Sequence, residues 1–265
     1  MKTMRKMIST ILISACMLLF LAACGAVIEE RVTTGRYPHY DSIEQLALIA
    51  DYVVRVEVLD ERVENINILL PPRNELEDAG MNLEHYYMLF TVHRLMVLEV
   101  FQGNVNVGDI MEVRLLGGEL GGQRLINLNN TELAIGDDLV LFLYASPGAD
   151  GIPFMPNPSQ GAYHVASSRD GAMAGDISET LESVHYRNHL TLSLGDLVHI
   201  WISNLYDTGE RDEAISGVQV YTSDGEAYTL DDLRHMPPEE VLSLDITQES
   251  LQAVLDAGIV GQDRR

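Results

Sequence analysis

YMLFTVHRLMVLEVFQGNVNVGDIMEVRLLGG, residues Tyr87 to Gly118, decides the fold of this chain. Phe90, Val92, Met96, Leu98 and Val100 share one face, with Arg94 interrupting, and Met111, Val113 and Leu115 alternate with Glu112 and Arg114. A period of two is the mark of half-buried strands, so the stretch reads as two β-strands joined by a short polar connection that Gly103 and Gly108 punctuate. Upstream, Tyr52 to Leu59 has Val54, Val56 and Val58 on one side and Arg55 and Glu57 on the other, and residues 60–66 can extend it. Before it, Ser42 reads as an N-cap with Gln45 three residues on, in the manner of a capping box. It opens a short helix that carries Ile43, Leu46 and Ile49 on one stripe, Leu48 off it, and ends near Asp51.

Downstream, the turn Gly136-Asp137-Asp138 leads into Leu139-Val140-Leu141-Phe142-Leu143-Tyr144, an unbroken apolar run expected of a strand covered on both faces. Gly161 to Val165 and Ala172 to Ala174 flank Asp170-Gly171, which predicts a hairpin. Two loops stand out. Residues 69–84, with Pro71-Pro72 and Ala79-Gly80, fit neither period, and unstructured loops of that length are uncommon unless they have a task. Residues 117–131 are framed by Gly117-Gly118 and Gly121-Gly122. They lack the Lys-Ser/Thr and following helix of a phosphate-binding P-loop.

The C-terminal part has a different texture. Ser193 is placed as an N-cap, and Leu194, Leu197, Val198, Trp201, Ile202 and Leu205 recur at helical spacing, an amphipathic stripe that packs on a core or offers a partner face. The helix should end in the polar run Thr208 to Glu213. A second hairpin is expected at Asp224-Gly225, a capping box at Thr229 to Asp232, a turn at Pro237 to Val241, a strand over Leu242 to Ile246, and a helix over Thr247 to Ala257 closed by Gly258.

The N-terminus is not a fold element. Lys2, Arg5 and Lys6 precede the apolar run Met7 to Ala23, with small residues just before Cys24, the anatomy of a secretory signal. Leu21-Ala22-Ala23-Cys24 resembles the lipobox of bacterial lipoproteins. The resemblance implies cleavage before Cys24, a lipid on its sulfur, and a protein held on the extracytoplasmic face of the cell membrane. Multiple acyl chains anchor stably where a single one does not. Residues 1–23 are then the signal and 24–41 a lipidated tether. Loss of Cys16 and lipidation of Cys24 leave a mature chain with no free thiol and no disulfide. The signal also removes three of the 17 basic residues, leaving 14, all arginine, against 40 acidic ones. A surface so negative argues against nucleic acid and against lying flat on anionic lipid, and it permits cations or basic partners.

The short helix, Ala50-Asp51-Tyr52-Val53-Val54-Arg55-Val56, the strand ending Val100-Phe101-Gln102-Gly103-Asn104, and Gly136-Asp137-Asp138-Leu139-Val140-Leu141-Phe142-Leu143 together resemble the netrin-type OB-fold module of the tissue inhibitors of metalloproteinases and related bacterial lipoproteins. The resemblance covers about residues 42–165. It implies a mainly β fold, with an OB-like five-stranded β-barrel over 42–177; the helix-rich pattern that follows reads as a smaller α/β unit over 178–265. Gln102 stands where that family has lysine and the family's paired cysteines are missing, so protease inhibition is not implied.

No motif carries a reaction. His185 and His189 are four apart, a spacing that on a helix suits two metal ligands, with Glu182 as the nearby acid; neither the glutamate of H-E-x-x-H nor a third ligand is evident. No G-x-S-x-G occurs, and adjacent acidic pairs such as Asp137-Asp138 point to opposite faces of a strand. The chain therefore reads as a non-catalytic binding module without cofactor, its contacts expected at residues 69–84 and 117–131, with a protein of the envelope as a possible partner through the Trp201 helix. The alternative is a metal-dependent hydrolase using His185, His189 and nearby carboxylates.

Overall fold

The computed structural model describes residues 28–68, 87–146, 151–165, 175–207, 218–257 and 260. Strand β1 (Glu29–Thr33) and helix α1 (Ile43–Ile49) precede the long strands β2 (Tyr52–Asn67) and β3 (Tyr87–Gln102). There follow β4 (Ile110–Leu116), the short β5 (Gly118–Leu120) and β6 (Gln123–Asn127), β7 (Asp138–Leu143), β8 (Ala162–His164), β9 (Thr180–Ser183) and β10 (Leu192–Ser193). Helix α2 (Leu194–Ser203) leads to strands β11 (Gln219–Tyr221) and β12 (Ala227–Thr229) and to helices α3 (Leu230–Leu233), α4 (Pro238–Ser243) and α5 (Gln248–Asp256). Among the described residues no helix is long and apolar enough to cross a membrane.

The chain is mainly β. Its main sheet runs β10-β9-β8-β7-β2-β3-β4, antiparallel throughout. The predicted strand at Tyr52 does extend, pairing with β3 from Val53↔Gln102 to Asn67↔Tyr87. The closed five-stranded barrel expected from the sequence is not formed: β4 and β10 remain as edges of a seven-stranded ladder. Irregularities in β2 at Val53/Val54, Arg55/Val56 and Val58/Asp60 bend the strand and tighten its twist. The sheet curls until Phe154 makes single bridges to both Arg114 of β4 and Tyr144 just past β7. The curl encloses one core, built from Val54, Val56, Val58, Leu95, Val97, Val113, Leu139 and Leu141.

The phase of β3 differs from the sequence reading. In its second half Leu95, Val97, Glu99 and Phe101 are buried while Met96, Leu98 and Val100 are half-buried. The four do not share a face: Leu95 and Val97 enter the core with Val56, and register shifts against β2 then turn the strand so that Phe101 enters the core on the opposite side with Val53. Glu99 is opposite Arg55 in the β2–β3 register, and Arg55, expected on a solvent face, is 2% exposed. Arg55 Nε and Nη2 donate to Asp138 Oδ1 and Oδ2 at 2.8 and 2.6 Å, and Nη1 is 3.6 Å from Glu99 Oε2. In α1, Ser42 Oγ accepts from Gln45 N, and the buried stripe is Ile43, Leu46 and Ala47; Ile49 faces outward.

The outer face of the sheet and the helices share a second core. Val53, Phe101, Val140, Phe142 and Tyr163 pack with Leu46 of α1, Leu197 and Trp201 of α2, Val241 of α4 and Val254 of α5. Helix α2 starts with the full capping box, the Ser193 side chain accepting from Asp196 N and the Asp196 side chain accepting from Ser193 N, and its predicted apolar stripe is buried. Strands β9 and β10, beyond residue 177, continue the main sheet. The second hairpin, β11–β12, forms with Gly225 at φ 90°, and Thr229 caps α3 reciprocally with Asp232. A strand over Leu242 to Ile246 does not form. Pro238, its missing N–H harmless in a first turn, starts α4 instead, and Ile246 keeps one bridge to Thr222. Strand β8 pairs with β7 and with β9; the hairpin expected at Asp170-Gly171, the Thr208–Glu213 run and Gly258 lie outside the described residues.

The stretch read as tether is docked from residue 28 onward. β1 runs parallel to β6, Glu29↔Gln123 to Thr33↔Asn127, making a small sheet β1-β6-β5. Farther along, Asn157 Nδ2 donates to Pro38 O at 2.9 Å. Tyr40 N donates to Gln160 Oε1, and Gln160 Nε2 returns a bond to Tyr40 O, at 3.1 and 2.9 Å.

Candidate functional site

The two sheets meet over a cleft of about 640 Å³. Its floor is Glu61 of β2, Thr91 and His93 of β3 and Leu115 of β4; its opposite wall is Gly117 to Glu119, Arg124 to Asn127 and Asn130 to Ile135. Gly117 and Gly118 make the corner between them. Both have positive φ, 127° and 134°, a region that L side chains rarely enter. A Cβ on Gly118 would stand 2.8 Å from Val63 Cγ1, so β5 approaches β2 as closely as it does only because no side chain intervenes. The corner is tied by Gly117 N donating to Leu89 O at 2.8 Å and by Thr91 Oγ1 donating to Gly117 O at 3.0 Å.

Asn127 fixes the far wall. Its Nδ2 donates to Tyr37 Oη at 2.8 Å and Asn130 Oδ1 at 2.7 Å, and its Oδ1 accepts from Gly35 N and Asn129 N, each at 3.2 Å. Asn130 Nδ2 in turn donates to Leu116 O at 2.6 Å. The residues expected as a loop over 117–131 are thus a hairpin followed by a cross-linked turn, and they do wall a cavity. The other nominated loop, 69–84, and Cys24 lie outside the described residues.

Two polar atoms set this cleft apart from ordinary surface. His93 is 3% exposed and Thr131 is 4% exposed, yet among the described residues His93 Nδ1 and Thr131 Oγ1 have no hydrogen-bond partner. A buried polar group left unpaired costs about 1–3 kcal/mol, so folded proteins seldom retain one without a use. The nearest charge to His93 is Glu61, with Oε2 at 3.6 Å from Nδ1, beyond hydrogen-bond reach. Around the rim, Arg124 is 3.7 Å from Glu30 and 3.9 Å from Glu119. Sequence reasoning put His93 on a strand and assigned it no role. Its one signal was the pairing of a histidine with an acid, Glu61↔His93, in the β2–β3 register.

The histidine pair fares differently. Residues 184–189 form bends and a turn, not a helix, so His185 and His189 do not share a helix face. His185 Nδ1 accepts from Arg187 N at 3.1 Å and its ring stacks on Tyr186, whereas His189 stacks on His39 at 4.6 Å. Glu182 is on β9, opposite His164. Among the described residues no group of three or more His, Cys, Asp or Glu is arranged to hold a metal ion. A second cavity of about 400 Å³ lies among α1, α2, α4 and α5, but Asp196 is spent on the α2 cap and His199 Nε2 is bonded to Val241 O at 2.8 Å.

Burial lowers the pKa of His93 below 6.5, against the pull of Glu61, and lowers that of His199 against its bond to the Val241 carbonyl. Both rings are therefore neutral in the fold and regain ordinary basicity on unfolding. The unfolded state then binds more protons, so the stability these rings contribute is fully present above their unfolded pKa and is lost as pH falls toward the folded values. The urea midpoint should drop between about pH 7.5 and 5.5, a range above that of ordinary carboxylates. An unchanged midpoint would mean that neither ring is held neutral.

No protein-family model matches this chain, and no curated protein matches it.

Proposed function

We propose that this chain is a lipid-anchored, extracytoplasmic binding protein that takes a small ligand into the cleft between its two sheets without reacting with it. The unpaired, buried His93 Nδ1 and Thr131 Oγ1 on the cleft wall carry the reading, because a ligand's polar groups would supply the missing partners. Its volume suits the role, since small-molecule sites commonly measure about 300–1,000 Å³. The anchor rests on Leu21-Ala22-Ala23-Cys24 and the signal-like stretch before it. The OB-like resemblance is supported by the order of strands β2, β3, β4 and β7 and by the curl that brings Phe154 between two of them. OB-type folds bind through a strand face and adjoining loops, and the cleft lies on that part of the sheet. The acidic surface weighs against nucleic acid as partner and leaves room for a basic envelope protein.

The test has two parts. Full-length protein produced in a bacterial host with labelled palmitate should carry label and stay with membranes. Cys24→Ala should lose the label and appear in the soluble extracytoplasmic fraction; a Cys24→Ala protein that remains labelled and membrane-bound would remove the anchor. Native mass spectrometry of the detergent-purified protein should then find a bound small molecule that Thr131→Val releases.

A further inference from the structure

Resting on the binding reading above, we infer that the ligand of the cleft is a primary amine: an ammonium head received by His93, Thr131 and Glu61, with an apolar stem along Leu115 and Leu133. The argument starts from donors and acceptors. A neutral imidazole with its proton on Nε2 presents Nδ1 as an acceptor, and a threonine hydroxyl has two acceptor lone pairs. His93 Nδ1 and Thr131 Oγ1 are both buried and unpaired among the described residues, and both belong to residues that line the cleft. Glu61 adds a carboxylate whose Oε2 faces His93 Nδ1 at 3.6 Å. With the proton on Nε2 these are two acceptors side by side, and one donor group seated against both would pair them. An ammonium group brings three N–H donors and no acceptor, which matches an imidazole nitrogen, a hydroxyl and a carboxylate.

Charge selects in the same direction. The carboxylates of Glu61, Glu119 and Glu132 line the cleft with a single cation, Arg124, and that cation is already shared between Glu30 and Glu119. The whole chain carries −23. Phosphates and carboxylates are repelled, and cations are concentrated at such a mouth. Between cations, an organic one fits better than a metal. No set of three ligating side chains is arranged for a metal among the described residues, whereas Leu115 and Leu133, each 4% exposed, offer apolar wall.

Titration calorimetry on the full-length, detergent-solubilised protein tests this with n-butylamine, n-butanol, butyrate and calcium as probes, and with Nα-acetyl-lysine-N-methylamide to ask whether the amine can belong to a protein side chain. Butylamine should bind saturably and the alcohol and the acid should not. Glu61→Gln, at a half-exposed position, should weaken it about ten-fold, and Thr131→Val by several-fold, as expected for losing hydrogen bonds to a charged group. Binding of the lysine derivative as well would assign the head group to a partner's side chain; its failure would assign a free small amine. Either result supports the ammonium site. Equal binding of butanol or butyrate, tighter binding of calcium, or a Glu61→Gln protein with unchanged affinity overturns it. If the amines fail while a co-purified molecule of other chemistry leaves with Thr131→Val, the amine is refuted and the binding reading survives. If neither is found, both fall.

Discussion

Arg55→Met should destabilise the fold by about 3–5 kcal/mol, the usual consequence of removing one partner from a buried ion network. The size comes from what is left behind. Side-chain exposure is 2% for Arg55, 5% for Glu99 and 25% for Asp138. Arg55 makes a two-pronged bond to Asp138 across β2 and β7 and faces Glu99 across β2 and β3. The hydrogen bond to the Asp138 carboxylate is the main reason the pKa of Arg55 is raised, ahead of the opposing effect of burial. Without the guanidinium, Glu99 loses the cation opposite it, and Asp138 loses both prongs. Glu99→Gln should cost less, about 1–3 kcal/mol, because Asp138 still holds the arginine. Arg55→Met combined with Glu99→Leu should recover much of the loss, since apolar residues of similar volume often replace buried ion pairs without penalty. Urea titration reads all three as midpoint shifts at constant slope. An Arg55→Met protein within about 1 kcal/mol of the parent would show that the arginine's attraction to these carboxylates only balances the cost of burying it.

The same arginine shows where a sequence stops being informative. Alternation placed Arg55 opposite Val54 and Val56, which is correct, but alternation says only that a side chain is on the other face. Whether that face meets water depends on the helices packed over it, which come much later in the chain. The phase of β3 failed for a related reason: with apolar residues at Leu95, Met96, Val97 and Leu98 no local signal sets the face, and the register shifts against β2 that turn the strand before Phe101 arise only in the paired sheet. Local signals did better. Ser193 as an N-cap, and Thr229 with Asp232 as a capping box, announced their helices because a cap is complete within four residues. β1 had no such signal. Glu29 to Thr33 is exposed along nearly its whole length and becomes a strand only by pairing with residues 123–127. As for the cleft, the glycine pairs at 117–118 and 121–122 marked the segment, while the orphaned atoms of His93 and Thr131 exist only once β3 and the 130–135 turn are brought together.

Trp201→Ala should cost about 3–5 kcal/mol, the range for deleting a large buried aromatic side chain, and the loss should register across the main sheet and the helices alike. Trp201 is 2% exposed and sits in the core that joins Phe101, Val140, Phe142 and Tyr163 of the main sheet to α1, α2, α4 and α5. No layer of solvent or polar residues divides that core, and β9 and β10 run on from the sheet into the cap of α2. A cavity opened at Trp201 therefore removes contacts from the sheet face as directly as from the helices. In the parent protein, unfolding followed by fluorescence of the single tryptophan and by far-ultraviolet circular dichroism should give coincident curves, the signature of one cooperative unit. In Trp201→Ala the dichroism curve should move as a whole to a lower midpoint. A curve that splits, one part staying at the parent's midpoint while the other melts early, would mean that the helices form a separate unit resting on a sheet that is stable without them. The unbroken packing from Phe101 through Trp201 to Val254 argues for the single transition.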